Sequence, residues 1–251
     1  MAINVNTVYQ TVLMILNKEQ RGYMTPTEFN TVATQVQLEI FEKYFDDLNQ
    51  QLRVPQADTD YADRQENIDE KIAIFKTFGD ATYVTITPTL SYFTLPTTDS
   101  YGETVSFYRM GNVMYNNEKF VQRLDRHDFS YVNRSKLTKP TTLNPAYLYE
   151  NQKLFVKPTT IVNNIQVDYV RKPKNVIWGF TTGTLGQYIW NEDPYTGAVG
   201  DTGSVDFEIH ESEQTEVILK VLLYAGIVIR DPQIVQAAAA QVQADEVNKK
   251  S

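Results

Sequence analysis

The chain has 251 residues, a net charge of −8 and no cysteine, with 42% hydrophobic and 22% charged residues. Such a chain can bury a real core, while the lack of Cys excludes disulfides, thiol catalysis and cysteine-based zinc sites. Residues 1–79 hold 7 basic and 12 acidic groups, residues 80–207 hold 12 of each, and residues 208–251 hold 4 and 7. These acidic ends and neutral middle argue against a general nucleic-acid-binding surface.

The first helix is predicted over residues 6–20, with Asn6 as cap, Val8, Val12, Leu13, Ile15 and Leu16 on its apolar face, and Gly22 closing it. A short turn leads to a stronger start signal. Thr25 can cap, Pro26 stands at the first helical position, and Glu28 follows the cap by three residues. This is a capping box, with Met24 and Phe29 spaced as a hydrophobic staple. Phe29, Val32, Val36, Ile40 and Tyr44 then recur at helical spacing, widened by Ala33, Leu38, Phe41, Phe45 and Leu48. A helix from Pro26 to about Leu52 with so broad an apolar arc needs other helices to cover it.

Residues 54–64 read as a polar loop. Its Asp58, Asp60 and Asp63 lack the turn glycine and final Glu of an EF-hand loop, so solvation is the better account. A third helix is expected over 67–78, with Ile68, Ile72 and Phe75 on one face and Gly79 ending it. The period then changes to two. Strands are predicted at 81–87, 91–95, 104–110, 119–124, 147–149, 153–157 and 164–170, with a hairpin turn near 150–152. Seven short strands at this spacing argue for a small β-sandwich or barrel.

Residues 126–142 are polar and, with Lys119 and Arg123, form the main basic concentration: Arg126, Arg134, Lys136 and Lys139. They read either as a solvated loop or as a contact surface for an acidic neighbour, such as the helical part of another copy. Residues 171–207 are irregular but aromatic, carrying Trp178, Phe180, Tyr188, Trp190 and Tyr195. A loop of this length is functional or a linker, and it is expected to pack on a partner or fold back over the β-domain. Helix returns at Ser212, with Val217, Ile218, Val221, Leu222, Ala225 and Val228 apolar nearly all round. Asp231-Pro232 starts a last helix to about Asn248.

The expected fold is therefore α+β. Residues 1–79 and 208–251 form two parts of one helical bundle, and residues 80–207 an inserted antiparallel β-sandwich or barrel with the 171–207 loop. The N-terminus lacks a signal-peptide pattern, and the apolar run 217–229, broken by Lys220, is too short to span a bilayer, so no membrane role is expected.

No catalytic constellation emerges. Asp201-Thr-Gly-Ser204 matches the aspartic-protease motif, but that chemistry needs two aspartates sharing a proton, and a Gly/Asp turn explains it better. His127 between Asp125 and Asp128 has no nucleophile motif to serve, and His210 stands where a loop gives way to a helix. No phosphate loop, dinucleotide fingerprint or zinc helix is present. Neither an enzyme, a metal nor a cofactor is expected.

The run Asn17-Lys-Glu-Gln-Arg-Gly22, then Tyr23-Met-Thr-Pro-Thr-Glu-Phe29 and Gln37-Leu-Glu-Ile-Phe-Glu42, resembles the head-to-tail connector (adaptor) ring proteins of short-tailed, crAss-like phages. Tyr169-Val-Arg-Lys-Pro173, Trp178 and Val205-Asp-Phe-Glu208 extend the resemblance. It implies a virion structural protein, made in the host cytoplasm and placed at the portal vertex or tail. It further implies a homo-oligomeric ring of about twelve copies to suit a portal, the helical part toward the portal and the β-part toward the tail. DNA would pass through the channel without sequence-specific binding. Candidate interface residues are Lys119, Arg123, Arg126, Arg134, Lys136, Arg171, Lys172, Lys174, Trp178 and Trp190. The competing readings are another tail ring or stopper, and a glycan-binding tail component using Trp178 and Trp190 as sugar platforms.

Overall fold

The computed structural model describes residues 2–18, 23–51, 64–87, 90–228, 240–241 and 243. The predicted stop at Gly22, the Asp58–Asp60–Asp63 loop and the Asp231-Pro232 helix start lie outside the described residues. The chain is mixed α+β and divides into two compact units. The helical unit is discontinuous, Met1–Ile74 with Pro173–Ser251, and the β unit is continuous, Phe75–Lys172. Residues 173–207, expected with the strands, thus belong to the helical unit.

In the helical unit α1 is Val5–Lys18, α2 Pro26–Gln51, α3 Arg64–Ala73 and α5 Gln214–Val228, α4 being the helix of the β unit. The cap of α1 is Asn4 rather than Asn6: its side-chain oxygen accepts from the Thr7 N–H at 3.0 Å. The α2 start is as the sequence predicts. Thr25 N–H donates to Glu28 Oε2 at 2.9 Å, and Met24 and Phe29 are both buried. These bonds hold the exposed Glu28 carboxyl below its ordinary value, Thr25's hydroxyl foremost.

Helix α2 packs on α3 and α5, and α1 packs on α5. Their shared interior includes Val8, Val12, Leu16, Phe29, Ala33, Val36, Ile40, Val217, Val221 and Ala225. The chain's two halves are also joined by backbone: Ile3 and Phe207 exchange hydrogen bonds of 3.2 and 3.1 Å, and Val5 N–H donates to Asp206 Oδ1 at 2.8 Å. The predicted start at Ser212 gives way to a 3-10 turn, Glu211–Glu213, capped by His210, whose side chain accepts from Ser212 N–H. The 173–209 segment carries a small hairpin, β10 Phe180–Thr182 with β11 Tyr188–Trp190.

The predicted third helix ends five residues early. From Lys76 the chain is strand β1, because Lys76–Asp80 pairs antiparallel with residues Gln166–Val170. Non-local pairing here overrides the helical spacing of Ile68, Ile72 and Phe75. Strands β2 (Thr82–Thr87), β3 (Leu90–Thr94), β4 (Phe107–Tyr115), β5 (Lys119–Phe120), β6 (Gln122–Arg123), β7 (Ala146–Glu150), β8 (Lys153–Lys157) and β9 (Ile165–Arg171) complete the β unit. One sheet runs β1-β9-β4-β5, the other β2-β3-β8-β7-β6, antiparallel except for β6 with β7. The predicted β7–β8 hairpin is present. Asn151 and Gln152 adopt φ of 50° and 57°, the left-handed pair that a two-residue hairpin turn requires.

One buried cluster draws on both sheets: Val113, Ile165, Val167 and Tyr169 from the first, Phe93, Tyr147, Leu154 and Val156 from the second. Helix α4, Arg126–Arg134, stands where a polar loop is expected, and packs on β7. It has no buried residue, so hydrophobic periodicity could not reveal it.

Candidate functional site

Two places in the chain carry the expected interface residues. The first is the 173–209 segment of the helical unit. Its start runs extended along α2, and three polar side chains of that helix hold its backbone. Gln37 Nε2 donates to Lys174 O at 2.7 Å, Val176 N–H donates to Thr34 Oγ1 at 3.1 Å, and Trp178 N–H donates to Asn30 Oδ1 at 2.7 Å. The match is geometric. Three to four helical residues rise about 4.5–6 Å and two extended residues about 6.6 Å, close enough for Asn30, Thr34 and Gln37 to meet residues 178, 176 and 174 in turn. Gln37 is wholly buried and also takes the Glu208 N–H at 2.8 Å.

Trp178 ends this ladder and is 4% exposed. Its Nε1–H donates to Asn6 Oδ1 at 3.0 Å, and its ring lies 4.5 Å from that of Tyr9. Burial pushes the Tyr9 hydroxyl above its ordinary value, and it donates to Met24 O at 3.0 Å. Trp190 is half-buried and donates to Ser204 Oγ at 3.1 Å. Both indoles thus donate hydrogen bonds inside the helical unit, Trp178 from a buried position and Trp190 from a half-buried one. Lys174 likewise contributes backbone, its N–H donating to Glu208 Oε2 at 2.7 Å. The large hydrophobic side chains that the segment exposes are Leu185, Tyr188, Ile189, Tyr195 and Val199.

The Asp201 motif is a turn. Its carboxylate accepts from Thr196 N–H and Oγ1–H, from Gly197 N–H at 3.1 Å and from Gly203 N–H at 2.7 Å. These bonds, Thr196's hydroxyl foremost, hold the carboxyl at about 2. Gly203 is there for close approach, since an added Cβ would stand 2.6 Å from Tyr195 N; one on Gly179 would stand 2.1 Å from Thr202 O.

The second place is the basic region of the β unit, which the fold sorts into separate environments. Arg126 is paired with Glu150 through both its Nε and an Nη, which raises the guanidinium and lowers the carboxyl from their ordinary values. Arg123 lies over the Tyr149 ring at 5.9 Å, and Lys119 reaches Thr142 O at 3.5 Å. Arg171 lies over the Phe75 ring at 5.7 Å, Lys172 donates its backbone N–H to Ser106 O at 2.7 Å, and Lys136 is exposed. His127 packs on Tyr131, 4.6 Å between rings and one helical turn on.

Arg134 differs from these. With Lys139 and Lys157 it lines a cleft of about 570 Å³, to which Ser130, Thr159 and Thr160 add hydroxyls. Sequence reasoning had Arg134 and Lys139 within one run but missed Lys157, which only the β7–β8 pairing brings near. Among the described residues no group of three His, Asp or Glu side chains is placed to hold a metal ion, and no helix is long and apolar enough to cross a membrane.

Comparison with models of known protein families and with curated protein sequences found no match.

Proposed function

We propose that the chain is a phage virion structural protein, a subunit of the head-to-tail connector (adaptor) ring below the portal that joins capsid to tail and lines the DNA channel. In this reading the helical unit is a bundle into which the β unit, an antiparallel sandwich, is inserted. About twelve copies form the ring, without catalysis or cofactor, and DNA passes without sequence-specific contact.

The observation that carries the reading is how charge divides between the units. The β unit holds twelve Lys and Arg against eight Asp and Glu, a net of +4; the helical unit holds eleven against twenty-three, a net of −12. A closed ring of one protein needs two different, complementary faces on each copy, and opposite charge steers them together. The exposed apolar side chains of residues 185–199 supply a further contact of the kind an assembled neighbour covers. The resemblance around Thr25–Glu42 points the same way. The burial of Trp178 disfavours its use as a sugar platform in the glycan-binding reading.

The test is the mass of the purified protein in solution, with and without the portal ring of the same virion. A monomer that becomes a stoichiometric ring on the portal is the expected result, and a stable trimer indifferent to the portal would overturn the proposal. Deleting residues 179–203 joins ends that already lie side by side, since Gly179 N–H donates to Ser204 Oγ at 3.0 Å. That variant is expected to stay folded and to lose assembly. Rings formed by it would remove the 179–203 arm from the contact.

A further inference from the structure

We infer that the Arg134–Lys139–Lys157 cleft is the socket for the acidic face of α3 from a second copy of this chain, the contact that closes the ring; this rests on the ring reading above. In a chain of net charge −8, a cleft lined by three cations and, among the described residues, by no carboxylate runs against the overall charge. No ion pair with a described carboxylate quenches Arg134, Lys139 or Lys157, unlike Arg126, which Glu150 neutralises. Arg134 and Lys139 are exposed, and Lys157 is half-buried at the end of β8. The hydroxyls of Thr159 and Thr160 add donors of the kind a carboxylate accepts, while that of Ser130 is spent on Arg126 O at 2.9 Å.

The complementary charge is found in the helical unit. Residues 58–70 carry six carboxylates against the single cation Arg64. On α3 this run is two-sided: Ile72 is buried while Glu66 and Glu70, one turn apart, are exposed. Two exposed carboxylates at that spacing present a paired anionic ridge to a cationic cleft. Socket and ridge belong to different compact units, so a copy that offers its ridge to one neighbour keeps its socket for the next. That is the head-to-tail arrangement from which rings are built. Nucleic acid is the poorer occupant, because a chain of net charge −8 repels a polyanion.

The full-length chain is tested by reciprocal charge reversal, with ring formation followed by sedimentation and native mass spectrometry on the portal. Arg134→Glu with Lys139→Glu, and separately Glu66→Lys with Glu70→Lys, are each expected to weaken assembly about a hundredfold or more, because like charges then face each other. All four positions are exposed, and circular dichroism verifies that each variant stays folded. Mixing the two variants is expected to restore rings in which they alternate. Loss of assembly without restoration on mixing overturns the inference. If the wild type also binds a short single-stranded oligonucleotide and the cleft variant does not, the cleft is a phosphate site instead. Rings unaffected by either reversal overturn the inference and leave the ring reading standing. A wild type that never forms rings, with or without the portal, removes both.

Discussion

The two units bury different kinds of residue. Among the described residues the buried polar and charged side chains are Gln37, Glu213, Glu216 and Lys220, all in the helical unit. Glu216 accepts from Lys43 at 3.0 Å and lies 3.8 Å from Lys220, which in turn lies 3.7 Å from Glu39. Lys71 is paired with Glu213, and Tyr224 with Glu39, a bond that pushes the Tyr224 hydroxyl up to about 12. The core cluster of the β unit is apolar and aromatic, and its ion pair Arg126–Glu150 stands at the surface.

The difference follows from how each unit is assembled. Strands fix their own register through backbone ladders, so the β unit needs only alternating apolar residues, as in Leu154 and Val156 or Ile165, Val167 and Tyr169. Helices have no backbone bonds to one another. Pieces from either end of the chain meet in the helical unit, and side chains must specify which helix lies where. Buried charges and amides at α2 and α5 supply that specification, because an alternative packing would strand them.

Removing the end of the α2 ladder should separate the units most sharply. Trp178→Ala deletes a buried indole and its bond to Asn6, a loss of about 3–5 kcal/mol. Hydrogen exchange is expected to quicken across α1, α2 and α5 while β4, β8 and β9 keep their protection. Uniform loss of protection in both units would show that they unfold as one.

The buried ion network gives the next largest effect. Glu216→Gln takes one charged partner from Lys43 and one from Lys220, both mostly buried, at a cost of about 3 kcal/mol. Glu150→Gln removes the corresponding exposed pair of the β unit, where solvent screens the charges and little change is expected. Urea midpoints of the two variants measure the contrast. Equal midpoints would mean that burial does not distinguish the two networks.

What was legible in the sequence was local. The Thr25–Glu28 box lies within four residues, and the Asn151–Gln152 turn lies within its own hairpin. Helix α4 escaped because it buries nothing, and β1 because its partner β9 is some ninety residues away. The ladder on α2 was hidden for a related reason. Asn30, Thr34 and Gln37 are ordinary surface residues by type, and only the arrival of residues 174–178 makes them binding groups. Their spacing of four and three, which lines them up along one stripe of the helix, was the available signal. The cleft at Arg134 was half visible, as a basic run without the Lys157 that completes it.

The smallest expected effect belongs to Asp201 and asks whether the 193–204 turn is a local structure. Its carboxyl lies at about 2 in the folded chain against an ordinary 3.8. A depressed folded value means that the charged form is favoured by folding, so the stabilisation is full above the ordinary value and is lost as pH falls through about 2. The amide resonances of Thr196, Gly197 and Gly203, which donate to this carboxylate, should therefore shift together along one titration curve. Asp201→Asn abolishes that curve, because a side-chain amide does not titrate, and it also turns one of the two accepting oxygens into a donor. The helices should be unmoved in either case, since these bonds join the turn only to itself. A shift in α2 or α5 resonances along the same curve would show that the turn is coupled to the helical core.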